Sequence, residues 1–505
     1  MTGQSSAGKR ESPLKPVFAH LHVHTEYSIP DGACRIRQTL ELAKEMAMSS
    51  LAITDHGGLY GAVELYETVA EWHWDMKSII GTEICVSASP EGQGLTSYHL
   101  VLLARDNKGY ENLVRLVSLS YEDGRYANPF VTKSDLEEHA RGLIALSGCA
   151  RGEVPSLLTE GQEREAREAA AGYARIFGEN DFYLELMDQG LCGQAELNAM
   201  MIDLAGSVGL PVVATNNAHY MRASDAKAHS ILVGLRNGDS EEHPGGEFYL
   251  KSPEEMESLF ANSPEAIGNT EEIAYRCDVE LPLGRFHKPG YLPTGTGDAA
   301  AHLRREAEEG LGEKKGSLPE GAGERLEKEL ELIEHLGLSG YFLLVADVVR
   351  FARQAGISIS ARGSSSASLV NFALGVTSVD PVTFDLPYER FLHCDTGRTP
   401  HFDFDVSTRR RGELVEYVVQ KHGNDKVAQI ISFSRIRARA ASREACRCLG
   451  LDQCITGKLL EQLQGYPYVT RAWLENGLKS LCDEDSNISE AVYLPGCLFK
   501  SALSR

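Results

Sequence analysis

The sequence has no apolar run of the roughly 20 residues that a bilayer-spanning helix needs, so a membrane-embedded protein is not expected. It also lacks a cysteine framework. Eleven cysteines are scattered through 505 residues without a CxxC pair. Cys446-Arg447-Cys448 is too tight for a zinc knuckle, so reduced thiols in a cytoplasmic setting are expected. Basic charge is scarce: 50 Lys and Arg against 72 Asp and Glu give a formal net charge of −22. That excludes coating nucleic acid through the whole surface and leaves only local binding. Residues 1–16 are polar with no apolar core and read as a loose tail, not a secretory signal. No internal repeat is visible. What is present is 42% hydrophobic content, enough to bury the cores of about two to four domains.

Asp403-Phe404-Asp405, preceded by Phe402, alternates rings and carboxylates. A strand's period of two puts both carboxylates on one face and both rings on the other. Two parallel carboxylates can bind a divalent cation, although the solvated face of an edge strand gives the same alternation. The context favours chemistry. Upstream, Ile357-Ser358-Ile359-Ser360 reads as a short strand, followed by Arg362-Gly363-Ser364 and an apolar helix from about Ala367 to Leu374. A Gly-Ser turn at a helix N-terminus offers backbone N–H groups and a hydroxyl to a phosphate. Downstream, helical spacing puts Arg435, Arg439, Arg443 and Arg447 near one face. That face is either simply solvated or a local nucleic-acid contact.

The N-terminal half repeats a different pattern. Alternation through Phe18–His24 sends His22 and His24 to one side of a strand. Leu51–His56 is a second apolar strand ending in polar ligand types, and Ile79–Glu83 is a third. His99 opens an apolar run, Cys149 closes another, and His219 follows Val212–Ala218. Each alone would be an ordinary half-buried histidine or core cysteine. Recurrence at strand ends argues instead for a ring of ligands. Helical spacing lies between the strands, as at Ile36, Leu40, Ala43 and Ala47. The expected fold is therefore a βα-repeat barrel with the ligands at one mouth.

These motifs carry a resemblance. Tyr341-Phe342-Leu343-Leu344, Ala361-Arg362-Gly363-Ser364, Ser368-Leu369-Val370, Asp380-Pro381, Glu389-Arg390-Phe391 and Phe402–Asp405 resemble, in order, the palm of the family C replicative DNA polymerases, the DNA polymerase III alpha subunits of bacteria. The resemblance implies a nucleotidyltransferase-type α+β palm. In it, Arg362, Gly363, Ser364 and Arg390 would meet the incoming triphosphate, and Asp403 and Asp405 would bind catalytic Mg²⁺. His401 departs from the pattern, since the family usually carries another Asp there. The N-terminal half is similar to the polymerase and histidinol phosphatase (PHP) domain of the same family, a distorted (β/α) barrel holding up to three metal ions. Its metal positions fall on His22, His24, Asp31, His56, Glu83, His99, Cys149, Asn217 and His219. Asn217 replaces an expected Asp and contributes no charge. Mixed nitrogen, oxygen and sulfur donors suit Zn²⁺ or Mn²⁺.

The implied organisation is a tail at 1–16, a PHP domain at 17–285, a palm at 286–430 and a helical partial thumb at 431–505. The implied function is template-directed DNA synthesis on primer-template DNA with deoxynucleoside triphosphates, among replisome subunits, with 3′–5′ exonuclease activity at the PHP site. Arg435, Arg439 and Arg443 are the candidate DNA contacts. A stand-alone PHP phosphoesterase and a non-catalytic replisome scaffold are the alternatives, and a free-standing phosphatase has no use for Arg362-Gly363-Ser364 followed by Asp403 and Asp405. In the family a return strand brings a third aspartate, followed by fingers and further domains. None is found in these 505 residues, so a fragment, a split gene product or a complementing chain is expected. Alone, the chain is expected to hydrolyse DNA 3′ ends at best.

Overall fold

The computed structural model describes residues 18–462 apart from residue 74 and the segments 90–95, 123–128, 238–245, 285–286, 293–296, 315–320, 393–399, 434–437 and 449–451. The tail at 1–16, Arg435, residues 238–245 and the C-terminal stretch 463–505 thus lie outside the described residues. The chain forms two compact units, Met1–Leu281 with Arg435–Arg505, and Pro282–Ser434. Among the described residues no single helix is long and apolar enough to cross a membrane.

In the first unit six strands lie side by side in chain order: β1 (Ser50–His56), β2 (Lys77–Ser87), β3 (Ser97–Ala104), β4 (Leu143–Leu146), β5 (Phe182–Met187) and β6 (Val212–Thr215). β1 and β2 are parallel, β3 runs antiparallel to both neighbours, and β4, β5 and β6 are parallel. The reversed β3 is the distortion of the barrel. The expected strand at 18–24 is an extended segment held by isolated bridges, His20 to Leu51 on one side and Val23 to Ala218 on the other. Because its partners switch between β1 and the chain after β6, no continuous ladder forms, yet the segment links the two ends of the sheet. Backbone bonds from Ala52 N to His20 O and from Ala218 N to His22 O hold it there.

Strand parity then sorts the side chains. Ile80, Ile84, Leu100, Leu102, Leu184, Leu186 and Ala214 face the helices and join one large cluster with Leu113, Leu116, Leu158 and Phe177. The opposite parity supplies Ala52, Ile79, Val101, Leu103, Ile144, Leu146, Tyr183 and Val213, an apolar plug capped by Ile273 and Ala274. Beyond that plug, on the same parity, come His56, Glu83, His99 and Glu185. The helix Ile36–Glu45 buries Ile36, Leu40 and Ala43 as its spacing requires. Ala47 lies past its end, exposed and with φ at +56°. The helix Ala438–Cys448 packs on Ala226–Asn237 in this unit.

The second unit packs the helices Ala299–Glu313, Ala322–His335 and Ser339–Gln354 around Leu303, Leu326, Leu330, Ile333, Phe342 and Leu369. Leu336 stands at the C-cap of the second helix and packs, partly buried, against the same cluster. A two-stranded antiparallel ribbon, β7 (Ile359–Arg362) with β8 (Asp403–Val406), lies against the third. Gly310 sits where a Cβ would come within 2.2 Å of the Ala373 carbonyl oxygen. Gly310→Ala should gain about 1 kcal/mol of helix propensity but lose about 1–3 kcal/mol to overpacking. The expected net result is a lower melting temperature of the second unit, measured by calorimetry, with the first unit's transition unmoved.

Candidate functional site

The barrel mouth gathers the expected ligands: His56 ends β1, Glu83 pairs with it from within β2, His99 lies near the start of the reversed β3, and Cys149 and His219 follow β4 and β6. The register pairs His56 with Glu83 and places His99 opposite Cys85, two residues further along. Glu83 is 3% exposed and meets three imidazoles, with His22 Nε2 at 3.1 Å, His56 Nδ1 at 2.8 Å and His99 Nδ1 at 2.7 Å. Cys149 Sγ lies 3.7 Å from His99 Nδ1. Asp31 reaches His56 Nε2 at 3.1 Å and His219 Nε2 at 3.5 Å. His24 stacks between His56 and His219, with ring centroids at 4.0 and 4.4 Å.

Three overlapping donor groups result, His24–His56–His219, His22–His24–Glu83 and Glu83–His99–Cys149, each with its ligand atoms within 4.8 Å of one another. Asn217 has φ at +45°, a region that Asn tolerates better than most residues, and its buried Oδ1 has no hydrogen-bond partner. Convergent imidazoles, carboxylates and a thiol, with an unpartnered buried amide oxygen two residues before His219, fit a divalent cation.

Partners behind the ring fix which nitrogen faces inward. Glu185 takes the His22 Nδ1 proton at 2.7 Å and also accepts from Thr215 Oγ1. Ser28 gives its hydroxyl proton to Asp55 at 2.6 Å. It therefore accepts from His24 Nδ1 at 3.0 Å, leaving the Nε2 lone pair for the ring. His219 Nδ1 donates to the Asn217 carbonyl at 2.8 Å. Sequence reasoning passed over Glu185, Ser28 and Asp55 as site residues, and with them Thr25, whose N–H and hydroxyl donate to Asp55 at 2.6 and 2.7 Å. Glu185 did leave a signal, as the one charged residue in Phe182–Met187.

Burial alone would lower the His22 pKa, but Glu185 and Glu83 overcome it and push it up to about 10. Glu83 and Asp31 likewise outweigh burial and raise His56 to about 10. Burial, with His56 and His219 nearby, holds His24 well below the usual range and so neutral. Burial would raise Glu83, yet His99 and His56 keep it well below the usual carboxylate range.

The second unit presents a different arrangement. The β7–β8 register sets Ser360 opposite Asp405 and Arg362 opposite Asp403. All four are exposed, while Ile359, Ala361, Phe404 and Val406 form the half-buried face. Phe404 and Ile359 pack on Val345, Ala346 and Val349. Arg362 Nε lies 3.7 Å from Asp405 Oδ1, both largely exposed, a pairing worth little. His401 is exposed two residues before Asp403.

Gly363 follows with φ at +72°, a conformation that favours glycine, and opens a single 3-10 turn over Gly363–Ala367 with Ser364 exposed. The expected helix from Ala367 to Leu374 is shorter, Leu369–Ala373. Its N-terminus is not free for phosphate. Glu329 accepts from Leu369 N at 3.0 Å and Val370 N at 3.2 Å, and Ser368 Oγ accepts from Asn371 N. The N–H groups left over are those opening the 3-10 turn, which have no partner within it. The short turn carrying exposed Arg390 packs against this one. In the first unit, Arg439, Arg443 and Arg447 are exposed on one face of Ala438–Cys448, opposite buried Ala441, Ser442 and Ala445.

Comparison with known proteins finds a domain match in each half of the chain. Residues 20–189 match the PHP domain, and residues 301–496 match the bacterial DNA polymerase III alpha NTPase domain. The chain belongs to the bacterial DNA polymerase III alpha family. It is 36% identical to the DNA polymerase III subunit alpha of Helicobacter pylori strain J99 over 94% of this chain and 43% of that protein. It is 37% identical to that of Escherichia coli K12 over 91% and 40%, and 36% identical to that of Thermus aquaticus over 86% and 42%. The chain thus spans about two fifths of the length of the curated relatives it matches. Divalent metal use follows from the two domains and from the donor groups in the barrel mouth.

Two outcomes are expected. Protons held on His22 and His56 up to about pH 10 must leave before those nitrogens can take a metal. Zn²⁺ uptake should therefore release protons at pH 7, and affinity should rise with pH and fall as the solution is acidified. Calorimetric titration in buffers of different ionisation enthalpy measures this, and zero proton release would contradict it. Restoring a charge with Asn217→Asp should raise the affinity of the most weakly held metal about tenfold, read by competition with a chromogenic chelator.

Proposed function

We propose that the chain supplies the PHP and palm portions of a DNA polymerase III alpha subunit, acting in the cytoplasm on primer-template DNA and deoxynucleoside triphosphates among other replisome subunits. In this reading 17–285 is the PHP domain, 286–430 the palm and 431–505 part of the thumb. The observation that carries it is the open face of β7–β8, where two exposed carboxylates stand beside a glycine turn with spare backbone N–H groups.

Asp403 and Asp405 would hold Mg²⁺, which when bound neutralises the charge that develops between the primer hydroxyl and the triphosphate. The Gly363 and Ser364 N–H groups and the Ser364 hydroxyl would receive phosphate oxygens. Arg362, only weakly engaged by Asp405, and Arg390 would neutralise them in charge-assisted hydrogen bonds. Arg439 and Arg443, with Arg435, would meet the DNA backbone, a local basic stripe on an acidic chain.

The PHP ring would hold Zn²⁺ or Mn²⁺ on His22, His24, Asp31, His56, Glu83, His99, Cys149, Asn217 and His219. Its activity would be hydrolysis of DNA from the 3′ end. His24, neutral and with Nε2 turned inward by Ser28, is ready to bind without first losing a proton.

Primer extension and 3′ hydrolysis test the two halves separately, with the chain assayed alone and together with a chain that supplies a fingers region. Asp403→Asn or Asp405→Asn should abolish extension and leave hydrolysis and bound Zn or Mn unchanged. His22→Ala with His24→Ala should lower bound metal in elemental analysis and remove hydrolysis. Extension that survives either aspartate change would sink the palm assignment, and unchanged metal content would sink the ring.

A further inference from the structure

In the second unit an ion pair, Arg325–Glu329, bonds the chain where the glycine turn ends. Glu329 is 0% exposed, on the helix Ala322–His335, one turn after Arg325. Its carboxylate accepts from Arg325 Nε at 3.1 Å, Ser368 Oγ at 2.7 Å, Leu369 N at 3.0 Å and Val370 N at 3.2 Å. The Arg325 guanidinium reaches the other way. It donates to the Ala367 carbonyl at 2.7 Å and the Leu386 carbonyl at 2.6 Å, and it lies over the Tyr388 ring at 5.8 Å.

Ala367 closes the turn that begins at Gly363, and Tyr388 opens the short turn that ends at Arg390. One pair, a buried Glu329 and a half-buried Arg325, thereby links both segments. The grip is stiffened by Asn371, fully buried, whose Nδ2 donates to the Ser365 carbonyl at 2.8 Å, and by Ser365 Oγ, which donates to the Arg362 carbonyl at 3.0 Å.

We propose that Arg325 and Glu329 are positioning residues for triphosphate binding: together they set the separation between the Gly363–Ser364 turn and Arg390. The proposal rests on the reading of that turn as the phosphate site. The physical case is one of cost and geometry. A buried carboxylate beside a half-buried guanidinium is retained only where most of the pair's hydrogen-bonding capacity is used, and here it is spent on Ser368, Leu369 and Val370, directly after the glycine turn, and on the carbonyls of Ala367 and Leu386. A phosphate held by a few N–H groups and one guanidinium tolerates little displacement of either. Glu329 also occupies the N-terminus of Leu369–Ala373, so phosphate is left to the turn alone.

The test measures binding of Mg²⁺·dATP and of Mg²⁺·tripolyphosphate to the 505-residue chain, by displacement of a fluorescent dATP analogue. Wild type is compared with Ser364→Ala, Glu329→Gln and Arg325→Lys. Arg325→Lys keeps the charge next to Glu329 but loses the fork to Ala367 and Leu386. Both changes in the pair should weaken both ligands about tenfold or more through misplacement. The cooperative melting of the second unit and the metal content of the first should persist. Wild-type affinity in both variants, with Ser364→Ala weakened, would overturn the positioning role and leave the turn as the phosphate site. Loss of cooperative melting in both would assign the pair to folding alone and overturn it as well. A wild-type chain that binds neither ligand would remove the phosphate reading of the turn, and the pair's role with it.

Discussion

Protonated imidazoles cannot crowd one barrel mouth without counter-charge, and Glu83 delivers it to three rings at once. Three of the rings touch its two oxygens, and the strand register decides that it can reach them. Glu83 faces inward because it shares parity with Ile79 and Gly81 on β2 and pairs across with His56 and Val101. A slip of one residue would turn it toward the helices and bring Ile84 into the mouth. The apolar plug of Val101, Leu103, Leu146 and Val213 resists such a slip, since every inward residue below the ring would move with it. The chemistry of the mouth thus depends on packing several residues deeper.

Glu329 in the second unit solves a different problem with the same functional group. A carboxylate has about four lone-pair sites, and four donors fill them here: one guanidinium N–H, one hydroxyl and two backbone N–H groups. Nothing remains for a cation. Glu83 is met by side chains whose own protons a metal can displace, and its neighbours form convergent donor groups. Burial alone therefore does not separate a ligand carboxylate from a scaffolding one. The partner set does.

The same distinction explains what could be read in the sequence. Ligand types at the ends of apolar strands were legible at His22, His24, His56, Glu83, His99, Cys149 and His219, because strand periodicity maps directly onto facing. The alternating face at Asp403 and Asp405 was legible for the same reason. Glu185 was present as an acid within an apolar strand, but its role depends on a register between distant strands that spacing does not encode. Arg325 and Glu329 were hidden further, since an (i, i+4) Arg–Glu pair on an amphipathic helix is the pattern of an ordinary solvated surface. The Gly-Ser turn was visible, while its separation from the following helix was not, because the cap on that helix comes from Glu329, far upstream in sequence. The segment at 18–24 read as a strand by alternation, and its divided pairing is a consequence of barrel closure.

The ribbon that carries Asp403 and Asp405 raises the question of what keeps it in place. A two-stranded sheet is marginal by itself, and its outward face contributes only one long, exposed ion pair. The anchoring comes from the inward face. Phe402 stands edge-on to Tyr341, Phe342 and Phe391 at 5.1, 5.3 and 5.1 Å, and Phe404 joins the cluster around Val345 and Val349. Aromatic pairs of this kind add about 0.5–1.5 kcal/mol each beyond the area they bury. Four of the rings come from the very segments that hold the site: Tyr341 and Phe342 from the helix under the ribbon, Phe391 from beside Arg390, and Phe402 from the start of β8. Because the rings carry the stability, the carboxylates on the other face have no structural duty to perform. Only the long, exposed Arg362–Asp405 pair opposes their charge at the surface, which leaves them available to a cation.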